Sequence, residues 1–304
     1  MIAVPELPEI YNLARQMDSA LKGKRVADVS VRQEKCLNIP LRKFRALVAG
    51  KTIGSVTARG KWVFMELRPD VHFLLSLGMG GDALYHKPGA ARPGKYQVKL
   101  GFDDGSALSI AFWWFGYAHA VKTAEIKSHK MTASLGLSPL DNSEYTYQAF
   151  SVLLGGKKGA IKPVLMNQTH IAGIGNVYIQ DILFRAKLHP NRKISEISEA
   201  ERKLLFRVIK ENLKRAAELG GLAYEKDLYG RPGRFKDFLV GYREGQPCPE
   251  CGATIEKIKT GSTATFICPS CQIQAVRHER RPGSAPPCSR DPRASCAPPP
   301  RRTA

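Results

Sequence analysis

Met1-Ile2-Ala3-Val4-Pro5-Glu6-Leu7-Pro8-Glu9-Ile10 sets two prolines and two carboxylates directly against the start of a helix. Pro8 suits a first helical turn, where its missing N–H costs nothing, and Ile10, Leu13, Ala14, Met17 and Leu21 then recur at helical spacing. Gly23 is the expected stop. Taken alone, Glu6 and Glu9 would have the ordinary role of acidic residues near a helix start, complementing the macrodipole.

Outward from this stretch, 304 residues with 43% hydrophobic content are enough for two domains with cores of their own. No apolar run approaches the ~20 residues of a membrane span, and no basic segment followed by an apolar stretch marks a secretory signal, so a cytoplasmic location is expected, nucleoid-associated in a bacterium. Forty-seven Lys and Arg against 27 Asp and Glu give a net charge of +20, which points to a polyanionic partner. Nucleic acid is favoured over an anionic membrane surface because no strongly amphipathic basic helix stands out.

Between residues 25 and 120, short β-branched or aromatic runs alternate with turn signals: Val26 to Val31, Ile53 to Thr57, Trp62 to Leu67, Phe73 to Leu77, Tyr96 to Phe102 and Ala107 to Phe112. The spacing predicts an antiparallel sandwich or barrel, with Asp103-Asp104-Gly105 as a hairpin turn. From about residue 145 the period becomes helical. Ser198-x-x-Glu201 forms a capping box ahead of Leu204, Leu205, Val208, Ile209 and Leu213, and Gly220-Gly221 ends that helix. Earlier, Gly173-Ile174-Gly175-Asn176 precedes a helix predicted over Val177 to Arg185. Such a turn allows close backbone approach to a phosphate, although a simple tight turn would read the same.

The sharpest local signal is Cys248-Pro249-Glu250-Cys251, sixteen intervening residues, then Cys268-Pro269-Ser270-Cys271. Four thiolates so paired satisfy one tetrahedral zinc ion with no open position, and the intervening Ala253 to Ile267 reads as a β-hairpin turning at Thr260-Gly261. Iron is the second candidate metal, whereas two matched pairs argue against a redox dithiol. Cys36 reads as a buried small residue. Residues 275–304 are Pro-, Arg-, Ser- and Ala-rich without apolar period and are expected to be disordered, with seven arginines adding nonspecific DNA affinity and with Cys288 and Cys296 not ligating metal.

The order of these parts resembles the formamidopyrimidine-DNA glycosylase and endonuclease VIII family: Pro5-Glu6-Leu7-Pro8-Glu9, a β domain, the Gly-x-Gly-Asn turn and a four-cysteine hairpin. The resemblance runs over residues 5 to 272 and includes Arg59-Gly60-Lys61-Trp62, Leu77-Gly78-Met79, Ala160-Ile161-Lys162-Pro163 and Tyr242-Arg243-Glu244-Gly245-Gln246-Pro247. It implies an α+β multidomain protein: an N-terminal β-sandwich catalytic lobe with a leading helix (1–140), a helical helix-two-turn-helix DNA-binding lobe (141–240), a zinc finger (241–274) and the basic tail (275–304). The implied protein is a monomer that binds damaged duplex DNA, flips the lesion and excises the base, with AP lyase activity in addition.

By position, the resemblance puts the amine nucleophile on Pro5, the ring-opening carboxylate on Glu6, a supporting carboxylate on Glu9 and the β-hairpin lysine on Lys61. It puts Met79 and Phe115 in the base stack and Lys162, Asn176 and Tyr178 on or near the phosphate path. The chain also departs from the family. Val4 precedes Pro5, so within this chain the Pro5 nitrogen lies in a tertiary amide, and its use as a nucleophile requires removal of the first four residues. Trp113 stands where the family has the arginine opposite the orphaned base, Thr169 where it has a lysine, and Thr263 where it has the arginine of the zinc hairpin. A Trp there stacks on any base, so weaker discrimination of the opposite base is expected. The four residues before Pro5 and these cationic losses set up the alternative of a noncatalytic lesion- or structure-sensing DNA-binding protein on the same scaffold. The segment Tyr229 to Phe235 matches the family's lesion-capping region and reads as shortened.

Overall fold

The computed structural model describes residues 4–90 and 94–274. The expectations for the tail, Cys288 and Cys296 included, lie outside the described residues. Helix α1 (Leu7–Leu21) begins at the proline-rich stretch, with the Glu9 carboxylate accepting the Glu6 N–H at 2.8 Å and Gly23 in the left-handed region just past its end. Its apolar stripe is divided between two cores. Leu7 is buried among the helices of the second lobe, whereas Ile10, Leu13, Ala14, Met17 and Leu21 are buried against the β-sheets. One helix therefore belongs to both lobes.

The sheets are two antiparallel four-stranded layers. One runs β1 (Val26–Val31), β6 (Val98–Phe102), β7 (Ala107–Ala111), β5 (Asp82–His86); the other runs β2 (Thr52–Arg59), β3 (Trp62–Arg68), β4 (Val71–Ser76), β8 (Tyr117–Lys122). Inward residues such as Val63, Met65, Phe73, Leu75, Val98, Leu100, Leu108 and Ile110 close the core between them, so the architecture is a sandwich rather than a barrel. The Asp103-Asp104-Gly105 turn joins β6 to β7 as expected.

Three elements were not legible in the sequence. Strand β5 is short and opens on Asp82, and β8 carries Ala118 and Ala120 at buried positions, so neither has the bulky alternation that marks a strand. Helix α2 (Leu41–Val48) is a short basic amphipathic helix, contrary to the impression that none exists. Its Phe44 and Val48 are buried in the sandwich core, which leaves no apolar face for a membrane. No helix among the described residues is long and apolar enough to cross a membrane.

The helical lobe comprises α3 (Tyr147–Gly155), α4 (Ile161–Met166), α5 (Tyr178–Arg185) and α6 (Glu199–Glu218). Ser198 caps α6 reciprocally with Glu201, and Leu205, Val208, Ile209, Leu213 and Ala216 bury one face. The last element is the hairpin of β9 (Glu256–Thr260) and β10 (Thr263–Ile267), paired in the register Thr260 to Thr263. Buried Asp181 of α5 accepts the N–H groups of Leu239, Val240 and Gly241 and so fixes the approach to this hairpin.

Candidate active site and DNA-binding face

The turn before α5 folds back onto the first residues of α1. Leu7 donates its N–H to the Gly173 carbonyl at 3.0 Å, and Glu6, only 1% exposed, accepts the N–H groups of Gly175 at 2.7 Å and Val177 at 2.9 Å. Free N–H groups at a helix start thus hold a carboxylate. Gly175 is required for space: a Cβ there would lie 2.3 Å from Glu6 Oε1 and 2.4 Å from Lys61 Nζ, so the carboxylate and the ammonium crowd the same backbone atom. Burial pushes the Glu6 carboxyl above its ordinary range, against the charge of Lys61 and the amides that hold it.

Glu9 lies one helical turn further in. Its carboxylate accepts the Tyr178 hydroxyl, the Leu222 N–H at 3.0 Å and the Glu6 N–H, and burial pushes it up to about 7. Glu6, Lys61 and Asn176 line a cavity of about 320 Å³ together with Val4, Gln168 and Tyr242. Pro5 is buried beside it with its nitrogen bonded to Val4. Tyr242 was not singled out by the sequence reading. Its position in the Tyr-Arg-Glu-Gly-Gln-Pro segment and its left-handed backbone (φ 60°) place a ring against the cavity. Gln168 was missed too; its side chain ties the turn together through Met166, Gly173 and Ile174.

Two of the residues expected on or near the phosphate path, Tyr178 and Lys162, are buried. Tyr178 gives its hydroxyl to Glu9 and packs its ring on Phe235. Lys162, 1% exposed, donates to Asn176 Oδ1 at 2.8 Å, Thr263 Oγ1 at 2.9 Å, Thr265 Oγ1 at 2.7 Å and the Ala264 carbonyl at 3.3 Å. Four oxygen acceptors and no carboxylate surround this ammonium, and burial pulls it down to about 8. Thr263, where the resemblance led to the expectation of a lost arginine, accepts a hydrogen bond from Lys162. Asn176 is half-buried at the cavity wall, and Gln180 bonds both its carbonyl and Phe266 of β10. The exposed Thr169 hydroxyl turns back to Asn167.

Met79 and the Phe112-to-Gly116 loop lie side by side: Met79 N–H donates to the Trp114 carbonyl at 2.9 Å and Trp113 N–H to the Met79 carbonyl at 3.1 Å. Met79 is half-buried, whereas Trp113 is 67% and Phe115 70% exposed, which excludes ordinary core packing for these two rings.

The sulfur atoms of Cys248, Cys251, Cys268 and Cys271 all lie within 4.8 Å of one another. Tetrahedral zinc with bonds of ~2.3 Å requires sulfurs about 3.8 Å apart, and the pairs at 3.9 Å (Cys248 and Cys271) and 3.4 Å (Cys251 and Cys268) are close to that. The four residues fit a single structural zinc ion, which would join the two ends of the hairpin.

Sequence profiles of known families match three successive segments: the formamidopyrimidine-DNA glycosylase N-terminal domain over residues 4–111, the formamidopyrimidine-DNA glycosylase H2TH domain over 135–227, and the zinc finger found in FPG and IleRS over 245–273. The chain is 33% identical over 278 residues to the formamidopyrimidine-DNA glycosylase of Gluconobacter oxydans, covering 88% of this chain and 100% of that protein. It is 28% identical to the Lactococcus lactis enzyme of the same name, over 88% of this chain and 99% of that protein. Solved structures of the Lactococcus lactis protein superpose with a TM-score of 0.81, both in complex with DNA containing N7-benzyl-Fapy-dG (28% identity, 89% of this chain and 100% of that one) and with abasic-site DNA (27%, 88% and 100%). Fold, zinc ligands and sequence agree, and the chain belongs to the formamidopyrimidine-DNA glycosylase family.

Proposed function

We propose that this protein binds damaged DNA in the cleft between its lobes and excises the damaged base, with Glu6 as the proton-transferring carboxylate. The observation that carries this reading is the placement of Glu6: buried, gripped by the Gly175 and Val177 amides and set beside Lys61 on the wall of a cavity. Burial favours its protonated form, which suits a group that gives a proton to the sugar ring oxygen as the ring opens and recovers it later. Glu9, fixed by Tyr178 and Leu222, supports Glu6 from behind by holding its N–H. The Lactococcus lactis relative is seen with Fapy-dG and abasic-site DNA, and the same substrate class is proposed here.

Strand cleavage requires an amine that forms a bond to C1′ as the base departs. Two amines qualify: Pro5, once the bond to Val4 is cut, and Lys61 in the chain as it stands. Met79, Trp113 and Phe115 would occupy the gap left by the flipped nucleotide, Asn176 would face the phosphates, and residues 1–140, 141–240 and 241–274 would act as catalytic lobe, DNA-binding lobe and zinc finger.

Incubation of the zinc-loaded protein with Fapy-containing duplex should release the free base, and Glu6→Gln should slow that release by at least about a hundredfold. Borohydride trapping on abasic DNA followed by peptide mapping identifies the amine: a crosslink at residue 5 requires processing, one at Lys61 does not. An unchanged Glu6→Gln rate would overturn the role given to Glu6. A noncatalytic lesion sensor on the same scaffold is disfavoured because a buried carboxylate pressed against a lysine is expensive to maintain without a use for it. Turnover that disappears in Glu6→Gln would exclude it.

A further inference from the structure

The loop between β7 and β8 presents three consecutive aromatic side chains to solvent, Trp113 at 67%, Trp114 at 64% and Phe115 at 70% exposure. Neighbouring structure holds their backbone firmly. The Gln97 side chain bonds both main-chain groups of Phe112, at 3.0 Å to its N–H and 2.8 Å to its carbonyl, and Met79 bonds the main chain of Trp113 and Trp114. Gly78 lets the loop approach, since a Cβ there would lie 2.2 Å from the Trp114 carbonyl. Phe115 adopts φ 57°, a conformation unfavourable for an aromatic residue. Exposing three rings and straining one of them both oppose folding, and a fixed exposed apolar patch marks an interaction site.

Charge selects the partner. The last thirty residues hold seven arginines against two acids, so residues 1–274 still carry +15. A polyanion with flat apolar faces fits both properties, which describes nucleic acid whose bases are unstacked. A lipid surface would be met by an apolar helix face beside its cations, and α2 has buried its own. In an intact duplex each base face is covered by its neighbours, and one flipped nucleotide leaves room for a ring or two, fewer than this loop offers.

We propose that Trp113, Trp114 and Phe115 form a stacking platform for unpaired bases, so that the preferred substrate carries a single-stranded or unpaired segment beside the reacting nucleotide. This rests on the DNA-binding part of the function proposed above and adds Trp114, which the sequence reading passed over, to the contact surface. The platform acts on affinity through stacking, which is indifferent to base identity, and makes no use of the Glu6 site.

The test is a fluorescence titration of the full-length zinc-loaded protein with lesion-free oligothymidine and with a blunt duplex of the same length at the same salt. Trp62 is buried, so quenching reports on Trp113 and Trp114. Quenching by the single strand, with an affinity at least equal to that for the duplex, is expected. Trp113→Ala and Trp114→Ala should each weaken single-strand binding by about five- to a hundredfold and duplex binding by less than about threefold. Both side chains are exposed, and an unchanged Tm verifies folding. Equal weakening for the two DNAs, absence of quenching, or loss only of vesicle binding or self-association in the variants would each overturn the platform. Because the oligonucleotides carry no lesion, single-strand preference without base release would sink the enzymatic reading alone, and base release without that preference would sink the platform alone.

Discussion

The carboxylate of Glu6 accepts the N–H of Gly175 at 2.7 Å although the two residues are 169 positions apart. This bond joins the start of α1 to the turn before α5, and so the docking of one lobe on the other fixes the carboxylate to which proton transfer is assigned in the proposed function. If Glu6 carries the proposed proton transfer, a change at the turn should alter turnover.

Gly175→Ala should show this. The added methyl group would fall within 2.4 Å of both Glu6 and Lys61, so one of them must move. Base release is expected to fall by at least about a hundredfold, as misplacement by an ångström suffices for that. Lesion-free DNA binding should change little. Single-turnover kinetics alongside a binding titration separate the two effects, and a variant with unaltered turnover would show that the contact is not part of the catalytic geometry.

Lys162 is a clasp between α4, the Asn176 turn and the zinc hairpin. Lys162→Met removes the donor for Thr263, Thr265 and Asn176 and should destabilise the hairpin by about 1–3 kcal/mol. Because the ammonium is buried and its hydrogen bonds are taken up within the protein, the slope of log affinity against log salt should stay unchanged, whereas loss of a phosphate contact would lower it by about one. Its pH dependence adds a second check. Burial lowers the folded-state value to about 8 from an ordinary 10.5, so the cost of the charge is fully present below pH 8 and relieved as pH rises towards 10.5. Wild-type stability should therefore rise across that window by up to about 3 kcal/mol from this group, and Lys162→Met should lack the rise in pH-dependent denaturation curves.

Zinc removal should open the hairpin. With the four thiolates released, the bonds from Gln180 to Phe266 and from Lys162 to the β10 threonines lose their support. Chelation is expected to expose the Phe266 amide to hydrogen exchange and to weaken DNA binding, with one zinc released per chain by metal analysis. Retained protection at Phe266 in the metal-free protein would contradict this.

His119 provides a pH-dependent term in the sandwich. It is buried, with Nδ1 2.9 Å from His129 Nε2 and both rings against Trp62, and burial together with the His129 charge holds it down at about 4. A histidine lowered from 6.5 disfavours its charged form in the folded state. Its contribution is complete above pH 6.5 and lost as pH falls towards 4, by up to about 3 kcal/mol. Urea unfolding at pH 7 and pH 4.5, compared with His119→Phe, measures the term; an identical pH slope in the variant would refute it.

Local patterns carried much of this molecule. The helix from Leu7, the capped helix from Ser198 and the Cys248-to-Cys271 hairpin were all legible because each is specified by residues a few positions apart. Strands β5 and β8 escaped notice because their partners, not their own side chains, make them strands. The same division holds at the site. Glu6, Lys61 and the Gly-x-Gly-Asn turn could be picked out as separate signals. That Gly175 lies between Glu6 and Lys61, that Tyr242 reaches the cavity, and that Lys162 and Tyr178 turn inward were decided by the packing of the two lobes and the zinc hairpin. A motif fixes which groups are available. Burial, hydrogen-bond partners and the proton a carboxylate holds depend on neighbours more than a hundred residues away, and those are supplied only when the chain is folded.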